Sequence, residues 1–216
     1  MTESAPVLRA RGVARRFGTQ VALEPTDAEI RREETVALIG PNGAGKSTLL
    51  SLLAGSLELS EGSVERAPGV RIGWVPQRPS LYERLTAREN LELFARLESE
   101  TDPAGAARSL LDAFDVPADR PAAQMSVGNR QRLNVAIAML GSPGILLLDE
   151  PTASLDPGQR RRLWEMVEGG TVVFSTQNLE EIGLYASRVL VLQRGRLAFD
   201  GSVAEYERVH AAEVFA

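Results

Sequence analysis

The stretch GPNGAGKST, Gly40 to Thr48, fits the spacing G-x-x-x-x-G-K-[ST] between an apolar run and a helix-forming one. Its residue types suit phosphate. Glycines let backbone N–H groups come close to phosphate oxygens, and the N-terminus of the following helix adds the positive end of its dipole. Gly40, Pro41, Asn42, Gly43, Ala44, Gly45, Lys46, Ser47 and Thr48 would cradle the phosphates of a nucleotide. The Lys46 ammonium can reach the β- and γ-phosphates, and the Ser47 hydroxyl can bind Mg²⁺. Of 24 Lys and Arg residues this is the only Lys. A position that keeps Lys against such a bias needs a compact ammonium.

Two further runs bring polar groups to the ends of apolar strands. ILLLDEP, from Ile145 to Pro151, ends in two acids. Asp149 would hold Mg²⁺, directly or through water, and Glu150 would polarise a water for attack on the γ-phosphate. VVFSTQNLEE, starting at Val172, is a short apolar run that ends in Ser175, Thr176 and Gln177. A strand that delivers a polar side chain at its carboxyl end is a common way to build a site in an open α/β sheet.

The elements that position these groups follow from the pattern. PVLRARGVARRF and VALEPTDAEI read as partly exposed N-terminal strands, and TVALI, 35–39, as a buried one. KSTLLSLLAG is a helix ending at Gly55. GSVERAPGVRIGWV reads as a hairpin with Ala67, Pro68 and Gly69 at its turn. TARENLELFARL carries a capping box, Thr86 with Glu89, ahead of helical apolar spacing. DPAGAARSLLDAF has Asp102 as N-cap and Pro103 at the first helical position. NRQRLNVAIAML is a third helix, so residues 80–135 or so form a helical insertion. Strands return at 145–149, 171–175 and 188–193, alternating with helices, and Ser202 with Glu205 caps a terminal helix. The alternation implies βαβ units and a mostly parallel sheet, all within one domain over 1–216.

Composition narrows the classes. Hydrophobic residues at 44% and charged residues at 25% suit a soluble globular chain, and no apolar run reaches the roughly 18 residues of a membrane span. The N-terminus is too polar for a signal peptide. With no Cys there are no disulfides or thiolate metal sites, which fits the cytosol. A single His, His210, precludes a His metal cluster and is expected on the surface of the last helix. A net charge of −5 argues against a nucleic-acid partner. The run Arg160 to Arg162 reads as a solvated helix face.

The segment between the two acid- and phosphate-bearing motifs identifies a family. MSVGNRQRL, from Met125, resembles the LSGGQ-type signature of the ATP-binding cassette (ABC) family, and is followed by a helix and ILLLDEPTASLDP. Gln77 in GWVPQRP resembles the family's Q-loop, Ser154-Leu155-Asp156 its D-loop, and Phe17 in RRFGTQVAL the aromatic that stacks on adenine. The resemblance runs from about residue 7 to 206. It implies a P-loop NTPase of ABC type: an α/β fold with a mostly parallel RecA-like core, a small antiparallel β-subdomain and the helical insertion. It also implies ATP and Mg²⁺ as ligands, and a head-to-tail dimer with a like or unlike ATPase subunit. In such a dimer Ser126 and the Gly128 N–H would bind the γ-phosphate across the interface, Asp156 would help organise that interface, and Gln77 would sense Mg²⁺ or water.

Gln177 stands where the family has its switch histidine, facing the γ-phosphate and the attacking water. Glutamine keeps a donor and an acceptor but cannot carry the charge of His⁺. With Glu150 retained, slow hydrolysis is expected. Val127 replaces a usual Gly and Asn129 a usual Gln in the signature. Because Val resists positive φ, either the loop is extended there or the phosphate contact is altered. The resemblance implies the cytoplasmic ATPase subunit of a transporter, bound to the inner membrane face through a separate permease docking near Gln77 and PSLYERLTARENL, 79–91. That stretch resembles exporter ATPases more than importer ones. The alternative is a slow regulatory or scaffold ATPase on a membrane complex that moves no solute. A DNA- or ribosome-acting ABC protein would need tandem cassettes or long arms.

Overall fold

The computed structural model describes residues 5–214. β1 (Leu8–Phe17) and β2 (Gln20–Ile30) pair antiparallel, and β4 (Glu61–Arg66) joins the other edge of β1 to make a three-stranded sheet. A second sheet of six strands has the order β5-β6-β7-β3-β8-β9, with β3 (Thr35–Ile39), β5 (Ile72–Val75), β6 (Ile145–Asp149), β7 (Val172–Ser175), β8 (Arg188–Gln193) and β9 (Arg196–Ser202). All its neighbours run parallel except β8 and β9.

The two-residue period of the parallel strands divides the core between two layers. Val36, Leu38, Leu147, Val173 and Leu190 face the layer that holds Leu49, Leu50, Leu52 and Leu53 of α1 (Lys46–Ala54) and the inner side of the antiparallel sheet. Ala37, Ile39, Leu148 and Phe174 face the opposite layer. That layer is built by α2 (Ala87–Leu97), α3 (Pro103–Ala113), α4 (Val127–Ala138) and α5 (Pro157–Val167). Trp164 is buried in it, edge-on to Phe174 and stacked on Tyr185 of α6 (Leu179–Tyr185). With both faces covered, the strands are continuous apolar runs, as parallel strands must be.

Several local expectations meet their structure. Thr86 and Glu89 form the reciprocal capping box at the start of α2, and Asp102 caps α3 with Pro103 in its first turn. The hairpin at Ala67–Gly69 does not form. The turn there, closed by Val70 N donating to Ala67 O (3.1 Å), passes the chain from one sheet to the other: β4 pairs with β1, and β5 lies parallel to β6. The two strands are mismatched as partners, because β4 is polar and exposed while β5 is half buried in an apolar layer. The turn is where the pattern puts it, but the strands on its two sides have different partners. β9 carries no such signal in the pattern. It follows Arg194 and Gly195, both at positive φ (48° and 78°), the pairing that a tight antiparallel hairpin needs. It leads into α7 (Val203–Val214), whose start is closed by Ser202 and Glu205; the His210 side chain lies outside the described residues.

The Thr86 hydroxyl and backbone N–H hold the Glu89 carboxyl below its ordinary range, the backbone bond contributing most. Since the folded value is the lowered one, the carboxylate's contribution is present above the unfolded value near 4.5 and disappears as pH falls through the folded value. Thr86→Ala is expected to cost about 1 kcal/mol at neutral pH. Denaturant titrations of both proteins should show the gap narrowing below pH 4.5 or so.

Candidate functional site

Four adjacent strands of the large sheet, β5, β6, β7 and β3, end level with one another. Val75 is opposite Leu148, Asp149 opposite Ser175, and Ser175 opposite Leu38. The segment after each strand supplies one member of a single hydrogen-bond chain. Gln77, after β5, donates Nε2 to Glu150 Oε2 at 3.0 Å. Gln177, after β7, donates Nε2 to Glu150 Oε1 at 2.9 Å and to Asn42 Oδ1, in the loop after β3, at 3.0 Å. The chain Gln77–Glu150–Gln177–Asn42 thus crosses the sheet in strand order. Both oxygens of the Glu150 carboxylate are held by amide donors.

The residue that carries this carboxylate pays a backbone cost. Glu150 has φ 48°, a left-handed conformation that costs a non-glycine residue on the order of 1–2 kcal/mol. Its N–H donates to Ser175 Oγ at 2.8 Å, and the same hydroxyl donates to Asp149 Oδ1 at 2.6 Å. Ser175 is fully buried and joins the two acids from the neighbouring strand. The sequence showed Ser175 only as a strand terminus, and its signal, a hydroxyl level with Asp149, exists only once the strands are paired.

The loop between β3 and α1 is shaped for an anion. Among the helices with a described N-cap, α2, α3, α4, α5 and α6 are each capped by a side chain, whereas α1 begins at Gly45 with no side-chain cap. Its first-turn N–H groups therefore point out of the helix end without a side-chain acceptor. Gly45 sits at φ 105°, and a Cβ there would come within 2.8 Å of Ala22 O. Lys46 is only 6% exposed, and its Nζ donates to Gly40 O (2.8 Å) and Pro41 O (3.3 Å) across the mouth of the loop. Ser47 is exposed in the first turn of α1, and Asp149 is buried at the end of β6. A carboxylate and a serine hydroxyl are oxygen donors of the kind Mg²⁺ takes, and an uncapped helix end with one ammonium fits a polyphosphate.

The other sequence-selected residues lie outside this hydrogen-bond chain. Ser126 caps α4, accepting from Asn129 N at 3.2 Å, and Gly128 is buried in the first turn of that helix against Gln159. The chain is extended at Ser126 (φ −62°, ψ 157°), one residue before the position expected, and Val127 is already helical with its side chain exposed. The valine therefore meets no positive-φ demand. Asp156 caps α5 in a capping box with Gln159. Arg161 and Arg162 are exposed and face Glu165 (3.0 Å) and Asp115 (3.8 Å), while Arg160 donates Nε to Leu155 O at 2.9 Å. Phe17, at the end of β1, is 49% exposed, a surface ring and not part of the core. Arg132 joins the signature helix to the segment after α3 by donating to Asp115 Oδ2 (3.1 Å), and within the helix it donates to Asn129 Oδ1 (2.5 Å).

A phosphate loop after β3, an acid pair at the end of β6 and an amide chain across them define a nucleotide-binding α/β ATPase fold. A family model described as ABC transporter matches residues 23–153, more than half of the chain. The chain is 38% identical over 214 residues to daunorubicin resistance ATP-binding protein DrrA3 of Streptomyces coeruleorubidus, covering 90% of this chain and 67% of that one. It is 32% identical over 223 residues to Nod factor export ATP-binding protein I of Ralstonia nicotianae, covering 94% and 69%. The chain thus spans about two thirds of the length of these relatives. Of solved structures, the ATP-binding subunit of an ABC transporter matches with TM-score 0.82 at 28% identity, over 95% of this chain and 93% of that one. The dimeric cassette MJ0796 bound to ADP and Pi shares the fold at TM-score 0.81 and 24% identity, over 91% and 98%. The chain belongs to the ABC transporter family and is homologous to its ATP-binding subunits. Membership implies ATP binding and hydrolysis.

Because one hydroxyl serves both acids, Ser175→Ala should leave the Glu150 N–H and an Asp149 oxygen without partners. A loss of about 1–3 kcal/mol in unfolding free energy is expected in denaturant titrations. Ser175→Thr, which keeps the hydroxyl, should recover part of it.

Proposed function

We propose that this chain is the ATP-hydrolysing subunit of an ABC exporter, and that it works slowly because Gln177 stands at the switch position. The observation that carries this reading is the shared Glu150 carboxylate. Lys46 and the N–H groups at the start of α1 bind the phosphates of ATP. A bound Mg²⁺, held by Ser47, Asp149 and Gln77, would neutralise charge developing on the β- and γ-phosphate oxygens. Glu150 takes the proton of the attacking water. Its two amide donors orient the carboxylate toward the position of the attacking water. Gln177 adds no positive charge where phosphate charge builds up, so one electrostatic stabiliser is missing.

The dimer and the permease complete the reading. Ser126 and the N–H of Gly128 at the start of α4 would meet the γ-phosphate bound by a second ATPase subunit, with Asp156 at the same interface. Phe17 would stack the adenine. The permease would dock beside Gln77 on the 79–91 segment, which places the chain at the cytoplasmic face of a membrane. That segment is well made for such a role. Asn90, fully buried, accepts from Tyr82 N (2.9 Å), and its two amide N–H groups are shared among the carbonyls of Tyr82, Leu85 and Thr86, which fastens the loop to α2 while Tyr82 stays exposed. Among the described residues no helix is long and apolar enough to cross a membrane, so transport would rest on the partner. The names of the relatives, drug resistance and Nod factor export, support the outward direction.

Steady-state ATP hydrolysis with Mg²⁺, measured across protein concentrations, tests the reading. Glu150→Gln should lose turnover while still binding ATP. Gln177→His should raise turnover, by up to about a hundredfold. Equal rates for wild type and Gln177→His would refute a limit at position 177. ATP hydrolysis unresponsive to any permease carrying solute would favour the regulatory ATPase instead.

A further inference from the structure

Phe17 is half exposed, and Arg15 lies over one face of its ring. The guanidinium carbon of Arg15 lies 4.6 Å from the ring centroid. Arg15 is itself anchored, donating Nη1 to Glu58 O at 2.8 Å in the loop that follows α1. Two more bonds fasten the same stretch of β1 to that loop: Ser60 N donates to Ala14 O at 2.9 Å, and Arg16 N donates to Ser60 Oγ at 3.1 Å. Arg15 Nε is buried without a hydrogen-bond partner. Burying a guanidinium N–H unpaired is unfavourable, and the arrangement is held by the Glu58 carbonyl at one edge and the aromatic face alongside.

We propose that Arg15 is a positioning residue for the nucleotide base. It backs the Phe17 ring, holds it in one orientation before ATP arrives, and links it to the helix that binds the phosphates. A free aromatic side chain half exposed at a strand end would lose rotamer freedom when a base stacked on it. A ring already packed on a fixed guanidinium has paid that entropy. The cation also draws π density to the inner face, leaving the outer face for a neutral, flat purine rather than for a second cation. The Glu58 bond places base platform and phosphate helix on one rigid unit, so both ends of the nucleotide meet surfaces set in register. This inference rests on the reading of Phe17 as the adenine platform.

The test compares binding of MgATP with binding of Mg-tripolyphosphate, which has the phosphates and no base. Both are measured by displacement of a fluorescent nucleotide up to millimolar concentration. Arg15→Met keeps side-chain length and apolar packing but removes the cation and the Glu58 bond. It should weaken ATP binding about two- to fivefold, with tripolyphosphate binding and kcat at saturating ATP unchanged. Phe17→Ala should weaken ATP binding about tenfold, and adding Arg15→Met to it should change nothing further. Arg15→Lys, which restores a cation, should recover part of the loss. An equal loss for tripolyphosphate, or a loss that persists without Phe17, would overturn the role of Arg15 while leaving the adenine platform intact. Unchanged ATP binding in Phe17→Ala would instead overturn the platform, and Arg15's role with it. Thermal melting of each variant separates these effects from damage to the fold.

Discussion

The site depends on one carboxylate with two claimants. Glu150 receives an amide N–H on each oxygen, from Gln77 on one side and Gln177 on the other. A carboxylate has more lone pairs than these two bonds use, so it can still accept from a water while its orientation is fixed. The constraint reaches backward into the chain. Glu150 must leave β6 in a left-handed conformation, and the hydroxyl of Ser175 takes its N–H at that bend. Strain of this kind persists only where neighbours over-determine it.

Those neighbours are available because the sheet is parallel and its strands end together. In a parallel sheet every carboxyl end lies at the same edge, so loops far apart in sequence converge there. Gln77, Glu150, Gln177 and Asn42 are spread over more than a hundred residues yet form an unbroken series, since β5, β6, β7 and β3 are neighbours in that order. The apolar layers on both faces make the register firm. A one-residue slip of β6 or β7 would exchange their inward and outward residues and move Asp149 and Ser175 out of alignment.

In the proposed reading the two ends of a nucleotide would meet different parts of the molecule. Phosphates would meet α1, whose N-terminus has no side-chain cap and whose Lys46 is tucked against its own loop. The base would meet the antiparallel sheet at Phe17. These parts are joined by short bonds between β1 and the loop after α1, so distance between platform and cradle is set by packing and not by a flexible tether. Within the helical layer, Asn90 holds the 79–86 loop against α2, and Arg132 joins α4 to Asp115 after α3.

The residues proposed to do the chemistry are local patterns in the chain itself. The phosphate loop, the acids after ILLLD, the glutamine after VVFS and the capped helix starts at Thr86 and Asp102 are each written within a few residues. The α/β class was legible too, since apolar strands alternating with helices have few other ways to bury both faces. Pairing was not legible. Ala67–Gly69 announced a turn, but whether β5 would fold back on β4 or cross to β6 depended on which partner could cover its apolar side. Nor did any spacing show that Gln77 and Gln177 share one carboxylate, that Ser175 bridges two acids, or that Val127 begins a helix without strain. Those facts arise from strand order and register, which are set by burial summed over the whole core, a quantity that no short stretch of sequence contains.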